Sequence, residues 1–477
     1  MIQMKSRNTA WTDPSFEQIT ETFIHEYLEE RKTLVNQPVC RPAGRKPEHT
    51  GISEKGRPLE DVVRELKEEI FSFGCETCHP RFLGFVPGTA SCYSWLGDIM
   101  TSAYNRHAGS LANFPQGCQI ESDLIRWLCD KAGFPDTAGG LFVSGGSMAN
   151  LTALTIARDR LPEHDWHRGT AYVSEQTHSS VAKGLHIIGI PSDRIRRIPT
   201  GRHFQMNSAL LEQAITEDLE QGLLPFAVIA SAGTTNTGSI DPFSETAAIC
   251  RRYHLWMHVD GSFGASVLLS GRKGLLKGIE LADSLSWDAH KWLFQTYGCG
   301  MVLVRDRANM VNSFHAHPEY LKDIDAEEEY MNPWNIGPEL TRPARGIKLW
   351  LTLQTMGSDA VASGIEHGFE LAEYAEQLLR RYPEIEIVSP AQLTVINFRF
   401  NPGRLTEEEK DSLNLRISRQ IISSGYAGVF TTELNGKKVL RLCTIHPETT
   451  KEDIRNTIFL LKEYCQKLLP ASGSIPA

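Results

Sequence analysis

The sequence is short of positive charge. Lys and Arg number 49 against 58 Asp and Glu, a net charge of −9 with a pI near 6.0. Such a chain is a poor ligand for nucleic acid or an anionic membrane surface, so neither is expected as a partner. Long apolar runs are lacking too, and no stretch would span a bilayer. Met1–Asp13 is polar and has no apolar core, so no secretory signal is expected there. Repeats and low-complexity segments are absent. The ten cysteines are scattered. Without an export signal they are expected as reduced thiols in a cytoplasmic protein. No metal site is expected.

The remainder is ordinary globular composition, 41% hydrophobic and 22% charged over 477 residues, enough for two or three domains. Phe16, Ile19, Phe23, Ile24, Tyr27 and Leu28 recur at helical spacing, as do Leu59, Val62, Val63, Leu66 and Ile70. The Pro- and Gly-rich stretch Gln37–Pro58 connects them. Two helices so separated need another surface to pack on, either the main domain or a second subunit. From Leu141, short apolar runs alternate with helical stretches: Leu141–Val143, Ala171–Val173, Phe226–Ala230, Leu255–Val259 and Ser284–Trp287. This predicts a mostly parallel sheet covered on both faces, with a ligand crevice at the strands' carboxyl ends. After Met310 the strand signal stops, and Asn312–Ala344 reads as a long functional loop. Helices are expected over Ile347–Leu353 and Ile365–Leu379. A smaller α/β unit follows: strands Thr394–Phe400 and Val439–Ile445, helices Glu407–Ser424 and Lys451–Leu469.

The unusual residues fall at the strand ends. Ser144-Gly145-Gly146-Ser147 lies between a strand and a helix, where backbone N–H groups and the helix dipole suit a phosphate. An ordinary turn with Ser147 as helix cap is the alternative. Asp260 ends an apolar run and would hold a protonated ring nitrogen, or merely cap a turn before Gly261. His178 would lie against an aromatic ring, or serve the structure alone. Lys291 sits between Trp287 and Trp292, company that would desolvate an amine and make it a Schiff-base nucleophile. A surface lysine lying over indole faces is the alternative. Phosphate site, ring-nitrogen carboxylate, stacking imidazole and imine lysine together describe pyridoxal 5′-phosphate. Cys75-Glu76-Thr77-Cys78-His79 also matches the attachment pattern of c-type haem, which requires an exported chain.

The order Ser-Gly-Gly-Ser, Thr-His-Ser-Ser, Gly-Thr-Thr, His-Val-Asp-Gly and Asp-Ala-His-Lys-Trp resembles the group II pyridoxal-phosphate-dependent decarboxylases, the family of the aromatic-L-amino-acid and glutamate decarboxylases. Ser94–Met100 and Thr296–Cys299 are similar to stretches of bacterial tryptophan decarboxylases. The resemblance implies an α/β, fold-type I enzyme with a mostly parallel seven-stranded sheet between helices, and an obligate homodimer. It implies an N-terminal helical segment exchanged across the dimer (1–80), a cofactor domain (81–380) and a small C-terminal α/β domain (381–477). Lys291 would carry the cofactor. Gly146, Ser147 and His290 would contact its phosphate, with Asp288 beside them where the family often has Asn. Asp260 would pair with the ring nitrogen, His178 would stack, and Thr235 would touch the cofactor. In animal and plant relatives a loop tyrosine protonates Cα within Pro-x-Tyr-Leu-Lys, which Pro318–Lys322 matches, making Tyr320 the candidate. Tyr330 is the second choice. Phe85, His107 and Trp334 would line an aromatic side-chain pocket. No arginine fork for an acidic substrate is recognisable, which disfavours glutamate. The expected reaction is decarboxylation of tryptophan, phenylalanine or tyrosine. An aldehyde synthase or transaminase on the same cofactor is the alternative.

Overall fold

The computed structural model describes residues 14–42, 50–52, 54–315 and 331–469. Two short antiparallel strands, β1 (Cys40–Arg41) and β2 (Gly74–Cys75), lie near the N-terminus. The main sheet contains β3 (Gly139–Val143), β4 (Gly169–Ser174), β5 (Ile195–Ile198), β6 (Leu224–Ser231), β7 (Trp256–Asp260), β8 (Ser284–Asp288) and β9 (Gly300–Val304). These seven run in the order β3-β9-β8-β7-β6-β4-β5. β9 is antiparallel to β3 and β8, and the remaining pairs are parallel. Reversing β9 alone leaves the carboxyl ends of the other strands on one edge, so the motifs at those ends share a crevice.

β4, β7, β8 and β9 are buried at every residue, which is why they read as unbroken apolar runs. One face packs Phe142, Met257, Leu285 and Trp287 into the larger core. The other packs Leu141, Val173, Ile229 and Val302. β5 and β9 escape the sequence reading for different reasons. Ile195–Ile198 carries two arginines on a sheet edge, and Gly300–Val304 is a strand because β3 and β8 flank it. The C-terminal unit is an antiparallel sheet of β10 (Ile385–Gln392), β11 (Val395–Phe400), β12 (Phe430–Leu434) and β13 (Lys437–Cys443), ordered β10-β11-β13-β12. It shares a core of Phe398, Ile417, Leu440 and Ile458 with helices Glu407–Ser423 and Lys451–Leu468. Thr406 and Glu409 form a capping box that starts the first of these, and Gly425 follows its end at φ +72°.

Several expectations need correction. Ala308–Phe314 is a helix that runs into the supposed loop. The helix expected from Ile365 begins at Ser358, because Gly357, at φ +80°, separates it from the preceding helix Ile347–Met356. Tyr320 and Tyr330 lie outside the described residues. The ten thiols are not all reduced: Cys40 and Cys75 are joined in a disulfide, and eight cysteines are free. The cross-strand register places their Cα atoms 4.0 Å apart, a proximity that a 35-residue separation hides. With Cys75 so engaged and His79 fully buried, the Cys-x-x-Cys-His pattern is not a haem site.

Helix Phe16–Lys32, helix Leu59–Glu65 and its π-helical continuation Leu66–Phe71 bury no residue. The loop after β2 is instead anchored to the C-terminal unit. His446 Nε2 lies 2.8 Å from the Cys78 carbonyl, and the Arg81 amide donates to His79 Nδ1. Burial pushes His79, His258 and His446 down to about 4, from an ordinary value of 6.5. A histidine with a depressed folded-state pKa binds its proton more readily once unfolded. Stability is therefore full above pH 6.5 and is lost as the pH falls towards 4. For fully buried His258 this amounts to at most about 3 kcal/mol. Thermal unfolding midpoints should fall across this window, and His446→Gln should flatten part of the slope.

Candidate active site

The β3 end turns sharply into helix Gly146–Arg158 through Gly145, whose φ of +156° disfavours a side chain. A Cβ on Gly145 would stand 2.8 Å from His290 Cε1, and one on Gly146 would stand 2.8 Å from Asp288 Oδ2. The glycines are needed for close approach as well as for the turn. They border a cavity of about 370 Å³ that also takes in Ser147, His178, Thr235, Asp260, Asp288, His290 and Lys291. Every cofactor residue expected from the sequence thus lines one space.

Asp260 closes β7. Its Oδ1 accepts from the Ser262 amide (3.1 Å) and Ser286 Oγ (3.2 Å), and its Oδ2 accepts from Asn150 Nδ2 (3.0 Å). Burial by itself would raise this carboxyl's pKa. The Lys291 charge, His258 and the donated hydrogen bonds outweigh burial and hold it below the usual range, so the group is a carboxylate. His178 is the N-cap of helix Ser179–Ile187, accepting from the Ser180 amide, and it also lines the cavity. Its structural and functional readings coexist.

Lys291 Nζ lies 3.2 Å from Asp288 Oδ2. Trp287 and Trp292 do not surround it. Both are wholly buried, Trp287 donating to Ser266 Oγ and Trp292 stacking on Phe263. The reason drawn from the sequence for a reactive lysine, desolvation by indoles, is therefore not the one the fold supplies. Its neighbour in the cavity is a carboxylate. Asp288 is 1% exposed, and its Oδ1 has no hydrogen-bond partner among the described residues. His290 Nδ1 is 3.0 Å from the Cys299 carbonyl, an atom that only accepts, so Nδ1 carries a proton. Burial holds this imidazole below its ordinary value, against the opposing pull of Asp288. The neutral ring thus keeps a lone pair on Nε2, which becomes a donor to phosphate only on taking up a proton.

Phe85, His107 and Trp334 do not line this cavity. Phe85 is exposed, at φ +48°, with its ring against Phe430. His107 and Trp334 face each other, ring centroids 5.8 Å apart.

Residues 42–401 match the pyridoxal-dependent decarboxylase conserved domain. The chain belongs to this family. It is 39% identical over 420 residues to an aromatic-L-amino-acid decarboxylase of Bacillus atrophaeus, covering 87% of this chain and 88% of that protein. It is 29% identical over 427 residues to tryptophan decarboxylase 2 of Oryza sativa subsp. japonica, covering 86% of each. The crystal structure of Oryza sativa TDC with PLP and tryptamine matches 97% of this chain and 99% of that one, with a TM-score of 0.89 at 26% identity.

Pyridoxal 5′-phosphate is the cofactor of this decarboxylase, and the residues fit it. The glycine cradle and helix N-terminus suit the phosphate, Asp260 is an ionised partner for a protonated ring nitrogen, and Lys291 is the amine within reach. The sequence reading passed over Asn150, Ser262 and Ser286, which hydrogen-bond Asp260, Ser180, which hydrogen-bonds His178, and His258, which holds Asn150. The available signal was a lone polar residue in an apolar setting, His258 within Leu255–Val259 and Asn150 before Leu151.

Proposed function

We propose that this decarboxylase acts on an aromatic L-amino acid, tryptophan, phenylalanine or tyrosine, releasing carbon dioxide and leaving the arylalkylamine. The observation that carries this reading is the 39% identity to an aromatic-L-amino-acid decarboxylase over 87% of the chain. Within the cofactor cavity no arginine, and no lysine besides Lys291, is present among the described residues, so that space offers an acidic substrate no partner. A panel of amino acids scored for amine and carbon dioxide in equal amounts tests it. Aldehyde with ammonia, or turnover confined to acidic substrates, would overturn it.

The bound cofactor supplies an electron sink for the bond that breaks at Cα. Lys291 would hold the cofactor through its amine. Asp260 would keep the ring nitrogen protonated, and His178 would stack on the ring. Gly146, Ser147 and, once protonated, His290 would hold the phosphate, with Thr235 against the cofactor. The proton that replaces the carboxyl group at Cα comes from Tyr320, a role resting on the Pro318–Lys322 pattern. Tyr320→Phe should slow amine formation by about 10²-fold or more, the scale of a lost general acid, or divert the product to aldehyde. Unchanged rate and product would move the role to Tyr330 or elsewhere.

The enzyme is a homodimer in this proposal, with 1–80 exchanged between subunits, 81–380 the cofactor domain and 381–477 the C-terminal domain. The N-terminal helices support it: they bury nothing, and Phe16 and Phe71 are 61% and 78% exposed. Phe85, His107 and Trp334 are assigned to the substrate pocket of that dimer. The enzyme is assigned to the cytoplasm on its eight free cysteines, with Cys40–Cys75 its one disulfide.

A further inference from the structure

A chain of hydrogen bonds runs behind the cavity, and the donor or acceptor role of each group in it is determined. Asn150, fully buried, stands at its centre. Its Nδ2 lies 3.0 Å from both Asp260 Oδ2 and Ser180 Oγ, and its Oδ1 lies 2.9 Å from His258 Nε2. The opposite orientation of the amide would set its oxygen against the Asp260 carboxylate, acceptor facing acceptor, so the NH₂ group points to Asp260. The amide oxygen then requires a donor, and His258 carries its proton on Nε2. His258 Nδ1 is left as an acceptor for Ser284 Oγ at 2.8 Å. Ser284 Oγ in turn accepts from Trp256 Nε1 at 2.7 Å, an atom that only donates. Both ends of this half therefore agree on one direction.

The other half leads to the cavity. Ser180 Oγ accepts from Asn150, so its own hydrogen is free for His178 Nδ1, 2.8 Å away. The Ser180 amide donates to the same nitrogen at 3.2 Å. Two donors converge on Nδ1. In the neutral ring the proton must sit on Nε2, at the edge Ser180 does not use.

We propose that Asn150 is a positioning residue: by donating to both Asp260 and Ser180 it turns the Ser180 hydroxyl onto His178 Nδ1, and together with the Ser180 amide this holds His178 as the Nε2–H tautomer. Two residues that line the cavity, Asp260 and His178, are thereby coupled through one amide. Ionised Asp260 orients Asn150, Asn150 orients the Ser180 hydroxyl, and the hydroxyl sets His178. This rests on the cofactor site and not on which amino acid is the substrate.

The test is the ¹⁵N spectrum of histidine-labelled enzyme, with and without cofactor, with the His178 signals identified by their loss in His178→Asn. In the wild type, Nδ1 should give the signal of an unprotonated ring nitrogen and Nε2 that of a protonated one. Ser180→Ala and Asn150→Asp each take the hydroxyl's hydrogen away from His178 Nδ1 and leave only the Ser180 amide there, so the Nδ1-protonated tautomer should become measurably populated. In both, kcat should fall on the order of tenfold to a hundredfold, the scale for groups that orient a functional imidazole, with KM little changed. Ser180→Thr keeps the hydroxyl and should retain the wild-type signals. A protonated Nδ1 in the wild type would overturn the proposal without any variant being needed. So would an unchanged His178 tautomer in Ser180→Ala. A substrate other than an aromatic amino acid would leave these signals as they are, so failure of the substrate assignment is separable from failure of this one.

Discussion

Lys291→Ala should abolish turnover and the cofactor adduct trapped by borohydride. No other lysine borders the cavity among the described residues, so no second amine stands ready to take over. The loss should reach background, more than about 10³-fold, as expected when a covalent anchor and its positioning vanish together. The structure adds a complication that the sequence does not reveal. Lys291 is the partner of Asp288, which is almost wholly buried and has one oxygen already unpaired among the described residues. Removing the lysine leaves a buried carboxylate uncompensated, a change that costs up to about 3–5 kcal/mol when both groups are buried, and less here because Lys291 keeps 23% of its side-chain exposure. The single variant should therefore be less stable as well as inactive. The double variant Lys291→Ala/Asp288→Asn should recover the unfolding midpoint and remain inactive. Activity in either protein would end the assignment of Lys291. An inactive but unstable double variant would show that the Asp288 charge is not the source of the instability.

Asp260→Asn should lower kcat by on the order of 10²–10³-fold, the range for losing one preorganised electrostatic contact. An amide cannot hold a proton on the ring nitrogen by charge, so the electron sink weakens while the fold around it persists. The new side chain is nearly isosteric, but its hydrogen bonds do not all survive. Three donors converge on the present carboxylate: the Ser262 amide, Ser286 Oγ and Asn150 Nδ2. An asparagine must turn its own NH₂ towards one side of that set, donor against donor. Cofactor affinity, read by absorbance titration, should fall along with kcat. Full activity with unchanged affinity would remove Asp260 from the mechanism.

Much of this was legible before any coordinates. Gly145 and Gly146 announce a backbone that must approach a ligand closely, and in the fold a Cβ on either would crowd His290 or Asp288. Asp260 and Lys291 stand just past apolar runs, and such runs become buried strands whose ends share one edge. The pattern was weaker where burial comes from neighbours. β9 is a strand because β3 and β8 hold it on both sides, and β5 hides behind Arg196 and Arg197. Helix Ser358–Leu379 was read seven residues short because it opens on Ser358 and Asp359 and carries Ser363 and Gly364 just before Ile365.

The sequence by itself determined the order of the strand-end motifs, the close-approach glycines, the candidate imine lysine and the cofactor. These depend on residue types at short spacing, which local backbone geometry converts directly into position. Only the tertiary structure decided what those groups touch. Asn150 reaches Asp260 and His258 across 110 and 108 residues, and Cys40 meets Cys75 across 35. The aromatic neighbours of Lys291 in sequence turned into the core, and its neighbour in space became Asp288. A helix or strand sends adjacent residues in different directions, so proximity along the chain foretells an element and its end, while the partners of a buried polar group are chosen by how those elements pack.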